Sequence, residues 1–115
     1  MGRLSVLFLC VVVPPTLRRD VDHYTAIINS PVQMSCEADG LPPPVVTWYQ
    51  DGVKLAGNST WSAESASRVL ANRALRIDRV AVNDSGLYEC RATNDAGSAS
   101  RIVTLRVQGS ERLLN

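Results

Sequence analysis

Apolar and polar residues alternate along most of this chain with a period of two, the repeat of a half-buried β-strand. The clearest case lies between Leu87 and Thr93. Tyr88, Cys90 and Ala92 fall on one face, and Leu87, Glu89, Arg91 and Thr93 on the other. Asp84-Ser85-Gly86 before it carries turn chemistry, because an Asp side chain bonds nearby amides and Gly tolerates positive φ. Asn94-Asp95-Ala96-Gly97 after it suits a hairpin.

The same alternation predicts other strands. Val32, Met34, Cys36 and Ala38 alternate with Gln33, Ser35 and Glu37, which predicts one continuous strand with its cysteine inward. Val46 and Trp48 alternate with Thr47 and Tyr49. Leu75 and Ile77 point inward while Arg76 and Asp78 point out. Val103, Leu105 and Val107 face one way, and Ile102, Thr104 and Arg106 the other. Tyr24 to Ile28 is a further short strand. Asp51-Gly52 marks a tight turn before Val53-Lys54-Leu55, and Val80 leads into the corner at Asn83-Asp84. Asp39-Gly40-Leu41-Pro42-Pro43-Pro44 reads as a rigid loop, residues 16–23 as weakly structured, and 57–67 as undecided. About seven short strands with regular turn signals and no amphipathic helix predict an all-β, two-sheet antiparallel sandwich.

Length makes this one domain with short extras, at 115 residues. Residues 14–108 form the expected domain. Residues 1–13 hold one positive charge before an apolar run, which reads either as a secretory leader or as the last strand of a preceding domain. Pro14-Pro15 marks the boundary, and residues 109–115 are a short polar tail. The charge is nearly balanced, with 12 basic and 11 acidic residues, which points away from nucleic acid. No apolar run reaches transmembrane length.

Candidate chemistry is sparse. His23 is the single histidine, and Cys10, Cys36 and Cys90 are spaced wrongly for a compact metal site. With no Cys/His pair, phosphate loop or acid cluster, the expectation is no enzyme, no metal and no cofactor. Asp84 reads as a corner residue that caps backbone amides, not as a general base, and His23 as a solvated loop residue. Of two Asn-x-Ser/Thr sequons, Asn58 lies in a polar loop and is the possible glycosylation site. Asn83 sits in the tight corner with an acidic middle residue and is set aside. Trp61 is either packed on a sheet edge or an exposed contact.

Cys36, the Gly40/Pro42/Pro44 loop, Trp48, Asp51-Gly52, Leu75/Ile77, Val80 and the block Asp84, Gly86, Tyr88, Cys90, Ala92, Asn94, Gly97 together resemble an intermediate-set (I-set) immunoglobulin domain. The Pro14-Pro15-Thr16 start and the Gly-Leu-Pro-Pro-Pro loop are most similar to tandem domains of hemicentin-like extracellular matrix and adhesion proteins. Peroxidasin, neural adhesion molecules and sarcomeric giants carry related domains. The resemblance implies a Cys36–Cys90 disulfide between the sheets, with Trp48 packed on it and Tyr88 pinning the corner of Asp84 and Gly86. Trp48, Tyr88, Leu75 and Ile77 are the expected core. A cystine closing such a loop is worth about 4 kcal/mol by the chain-entropy estimate.

The resemblance further implies a non-enzymatic protein-interaction module, extracellular or secreted. Its partners would be neighbouring immunoglobulin domains or cell-surface and matrix proteins. The alternatives are a spacer in an intracellular, sarcomeric-type array, where both cysteines stay reduced, and a ligand-binding receptor ectodomain. The outward side of the Trp48 and Cys90 strands, with Tyr49, Glu89, Arg91, Thr104 and Arg106, reads either as an ordinary sheet face or as a possible partner face. The opposite sheet is expected to show Gln33, Ser35, Glu37, Arg76 and Asp78. Arg68, Arg73, Arg76 and Arg79 make a basic run, but interspersed acids argue against heparan sulfate.

Overall fold

A computed structural model describes residues 11–55, 60–61 and 66–109. The strands are β1 (Val13–Leu17), β2 (His23–Ile27), β3 (Val32–Met34), β4 (Ala38–Leu41), β5 (Val45–Gln50) and β6 (Val53–Lys54). There follow β7 (Thr60–Trp61), β8 (Ala66–Val69), β9 (Leu75–Ile77), β10 (Gly86–Asn94) and β11 (Gly97–Gln108). A 3-10 turn spans Val82–Asp84.

Two sheets face each other. One is five-stranded in the order β2-β11-β10-β5-β6, and the other four-stranded in the order β3-β9-β8-β7. A two-stranded ribbon of β1 and β4 completes the fold. Pairing is antiparallel except between β2 and β11, which run parallel. Alternation sends Trp48, Tyr88, Cys90, Val103 and Leu105 inward from one sheet and Met34, Leu75 and Ile77 from the other. All of these are buried, and their removal from water supplies the main drive to fold.

Turn chemistry explains the hairpins. Asp51 and Gly52 form the two-residue loop from β5 to β6 with φ of 48° and 87°. Positive φ at both positions is the hairpin turn that Asp-Gly favours. Asp51 also bolts this turn to β10. Its carboxylate accepts from the Leu87 amide at 3.2 Å, and its own amide donates to the Leu87 carbonyl at 2.8 Å. A Cβ on Gly86 would stand 2.9 Å from the Asp51 carboxylate, so that approach requires glycine.

Four expectations need correction. The continuous strand over residues 32–38 divides. Only Val32–Met34 pairs with β9, while Ala38–Leu41 becomes β4 and pairs with β1. At the division the Ser35 amide donates to the Tyr24 hydroxyl at 3.2 Å, so side chains take over from a strand partner. The supposed rigid loop shrinks accordingly, since its first half is β4. Residues 16–23 are more ordered than expected: Thr16 and Leu17 belong to β1, and His23 opens β2 as an exposed strand residue. Finally, the fold has more strand segments than about seven, in part because the chain changes sheets between β1 and β2 and between β3 and β4.

Candidate functional site

Register along β5, β10 and β11 sets the outer face of the five-stranded sheet. Tyr49, Glu89 and Ile102 form one cross-strand row, and Thr47, Arg91 and Ser100 the next. Leu87 stands opposite Thr104, and Thr104 in turn opposite His23. Directly opposed side chains lie about 5 Å apart, close enough to act together.

Arg91 organises the centre. Its guanidinium carbon lies 4.5 Å from the centroid of the Tyr49 ring. One terminal nitrogen donates to the Tyr49 hydroxyl at 3.3 Å, and the other to both Glu89 carboxylate oxygens at 3.1 and 3.3 Å. A cation over an aromatic face at the surface is worth about 0.5–1 kcal/mol, and an exposed ion pair about the same or less. Together they fix the rotamer of a side chain that would otherwise be mobile, so the face is preorganised. Leu87 and Ile102 flank this cluster and remain exposed. The result is an aromatic–arginine–carboxylate centre beside aliphatic surface, a composition suited to protein contact.

The structure therefore brings Tyr49, Glu89 and Arg91 into contact. Thr104 and Arg106 share the face but lie along β11 toward β2, with Arg106 opposite Thr25. Lys54 of β6, opposite Tyr49, joins the face at its edge. Its place was hidden in the sequence because only the β5–β6 register reveals it.

The other sheet differs from expectation. Gln33 does oppose Arg76, but Ser35 and Glu37 face elsewhere. The Ser35 hydroxyl donates to Asp20 at 2.5 Å, and Glu37 accepts from Arg18 at 3.0 Å. Asp78 accepts from Arg68 at 2.6 Å and from Arg76 at 2.8 Å. Those two hydrogen bonds, Arg76's first, hold its carboxyl below the usual carboxylate range. Half of the basic run is thus drawn onto one acid, which weakens its field for a sulfated polysaccharide. Arg73 takes a positive φ of 73° in a turn, and its carbonyl accepts from the Trp48 indole at 2.8 Å.

The structural residues assemble tightly. Trp48 stands directly opposite Cys90, and Cys36 and Cys90 form a disulfide with their Cα atoms 6.4 Å apart. The Tyr88 hydroxyl donates to the Asp84 carbonyl at 2.5 Å, and the Asp84 carboxylate accepts from the Ala81 amide at 2.7 Å. Asp84 thus caps the corner. Asn58, Cys10 and the Trp61 side chain lie outside the described residues. Among the described residues no three His, Cys, Asp or Glu converge as metal ligands, and no helix is long and apolar enough to cross a membrane.

The family model of the immunoglobulin I-set domain matches residues 15–107. Human hemicentin-1 is 37% identical over 110 residues, which cover 96% of this chain and 2% of the relative. Mouse hemicentin-2 is 39% identical over 106 residues, covering 86% and 2%. Human vascular endothelial growth factor receptor 1 is 33% identical over 84% of this chain and 7% of its own length. The chain thus spans a few per cent of these relatives. Among solved structures, Drosophila OTK extracellular domains 3–5 superpose with a TM-score of 0.70 at 32% identity, covering 84% of this chain and 32% of that one. Titin domain M7 superposes with a TM-score of 0.71 at 25% identity, covering 86% and 98%. With that family model matched over most of its length, the chain belongs to the immunoglobulin I-set domain family.

Proposed function

We propose that residues 14–108 are a non-enzymatic protein-interaction module of an extracellular adhesion or matrix protein, one unit of a tandem array. The observation that carries this reading is the preorganised Tyr49–Arg91–Glu89 cluster on an exposed sheet face, beside Leu87 and Ile102. Likeness to hemicentins and to a receptor ectodomain supports the extracellular setting, as does the buried cystine. Binding works by surface complementarity on a stapled scaffold, with Thr104 and Arg106 extending the contact along β11. The natural partners are other immunoglobulin domains or cell-surface and matrix proteins.

A second reading is a spacer domain in an intracellular array, favoured by the likeness to titin domain M7. The two separate by experiment. Immobilised chain is offered to intact cells and to deposited matrix, beside the variants Arg91→Glu and Tyr49→Ala. The module reading expects retention of cells or matrix by the parent and at least a tenfold loss in both variants, with thermal stability nearly unchanged. Equal retention by parent and variants would remove this face from the function.

A further inference from the structure

Asn83 is the middle residue of the 3-10 turn Val82–Asp84 and is exposed. Its neighbours close the corner. The Asp84 amide donates to the Ala81 carbonyl at 2.9 Å, and the Ser85 amide to the Val82 carbonyl at 3.1 Å. The Asp84 carboxylate is turned onto the Ala81 amide, and the Ser85 hydroxyl accepts from the Val107 amide at 3.3 Å. Asn83 adds its backbone carbonyl, which accepts from the Gln50 side chain at 3.3 Å. Its side-chain amide makes no hydrogen bond among the described residues and is left to water.

Other asparagines of the fold have a local reason to be asparagine. Asn72 and Asn94 cap turns by accepting from the Ala74 and Ala96 amides at 3.1 and 2.8 Å, and Asn29 takes a positive φ of 73°. Asn83 does none of these. What asks for asparagine here is Ser85, two positions on, because Asn83-Asp84-Ser85 is an acceptor sequence for N-linked sugar. A tight corner and an acidic middle residue count against this sequon in the sequence alone. The fold answers both, since the corner closes without the Asn83 side chain and the Asp84 carboxylate is buried in it. Beside Asn83, Val82 is 67% exposed, an aliphatic surface that a bulky, solubilising sugar would cover.

We propose that Asn83 carries an N-linked glycan. In the transfer, the Asn83 side-chain nitrogen bonds to the anomeric carbon of an oligosaccharide held on a lipid pyrophosphate. The bond from that carbon to the phosphate oxygen breaks, the lipid pyrophosphate leaves with the electron pair, and the nitrogen gives up one proton to a base of the transferase. Transfer precedes closure of the corner, and the fold then holds the sugar in solvent. The inference rests on the extracellular setting proposed above, but not on the Arg91 face.

The test expresses the full chain behind an appended secretory leader, with Asn58→Gln so that one sequon remains. Material from inside the cells and from the medium is run on gels before and after peptide N-glycosidase in heavy-oxygen water. The expected result is a slow band that collapses on treatment, with the heavy label on the tryptic peptide of residues 80–91. Asn83→Gln is expected to abolish the slow band and leave the unfolding midpoint unchanged, because no bond is lost. Ser85→Thr keeps the hydroxyl and is expected to keep the band. The same peptide carries Cys90, so staple and sugar are read together. Cys36–Cys90 linked chain with bare Asn83 would overturn the glycan and leave the extracellular reading standing. A slow band that persists in Asn83→Gln would overturn it too. Because the leader supplies the compartment, failure to retain cells or matrix bears on the module reading alone.

Discussion

Tyr88 shows how much one side chain decides. It fills the core beside Cys90, and its hydroxyl donates to the Asp84 carbonyl at 2.5 Å, so burial leaves no polar group unsatisfied. Burial first, then the charges of Asp84 and Asp51, push its pKa up from the ordinary value. A folded pKa above the unfolded one means full stability below about pH 10, lost as pH rises beyond it. Tyr88→Phe is therefore expected to cost about 1–2 kcal/mol at neutral pH through the lost hydrogen bond. It should also flatten the alkaline decline. Urea unfolding at pH 7 and above pH 10 checks both; equal alkaline slopes in parent and variant would contradict the account. Residues of this kind were legible in the sequence. Tyr88, Cys90 and Trp48 declare their inward face by alternation, and the turn chemistry of Asp84 names the corner. The Arg91 stack was only half legible. Alternation placed Arg91 and Tyr49 outward, but the lean of the guanidinium onto the ring depends on cross-strand register.

Elements were legible where the pattern is local and lost where a strand exists only through its partner. β10 alternates cleanly and was read from Leu87 to Thr93, with its end residues Gly86 and Asn94 assigned to the flanking turns. β4 has the sequence Ala-Asp-Gly-Leu, whose last three residues read as part of a rigid loop, yet β1 pairs with it and makes it a strand. The same pairing draws Arg18 onto Glu37 and Asp39, at 3.0 and 3.1 Å, and turns Glu37, expected on an exposed sheet, toward β1 instead. Strand propensity is mainly a fit to neighbours, so glycine and aspartate are tolerated where the neighbours supply the bonds. A Cβ on Gly40 would meet the Asn94 nitrogen and the Pro44 ring at 3.1 Å. The account predicts that Gly40→Ala destabilises the domain by about 1–3 kcal/mol, as overpacking does. Amide exchange should rise first along β1 and β4. Gly52→Ala supplies a contrast, because nothing lies within 4 Å of a Cβ there and its cost is confined to positive φ. Exchange that rose uniformly across the fold in Gly40→Ala would contradict the role given to the ribbon.

At the scale of the molecule, the two sheets, their core and the I-set assignment followed from a handful of inward residues. The contacts made within the outward face did not, because they depend on cross-strand register, which leaves no trace in the local pattern. The scaffold that carries that face is the sandwich closed by Cys36 and Cys90. Its closure constrains a long loop in the unfolded chain and is worth about 4 kcal/mol, or a fall in Tm of roughly 15–30 °C on reduction. An oxidised staple is also what distinguishes an extracellular module from an intracellular spacer. The most direct measurement is peptide mass mapping of thiols in the chain recovered from the medium of secreting cells, with Tm recorded before and after reduction. The account predicts a Cys36–Cys90 linked peptide and a Tm that falls by that amount. Free thiols at both cysteines, with a Tm indifferent to reductant, would contradict it.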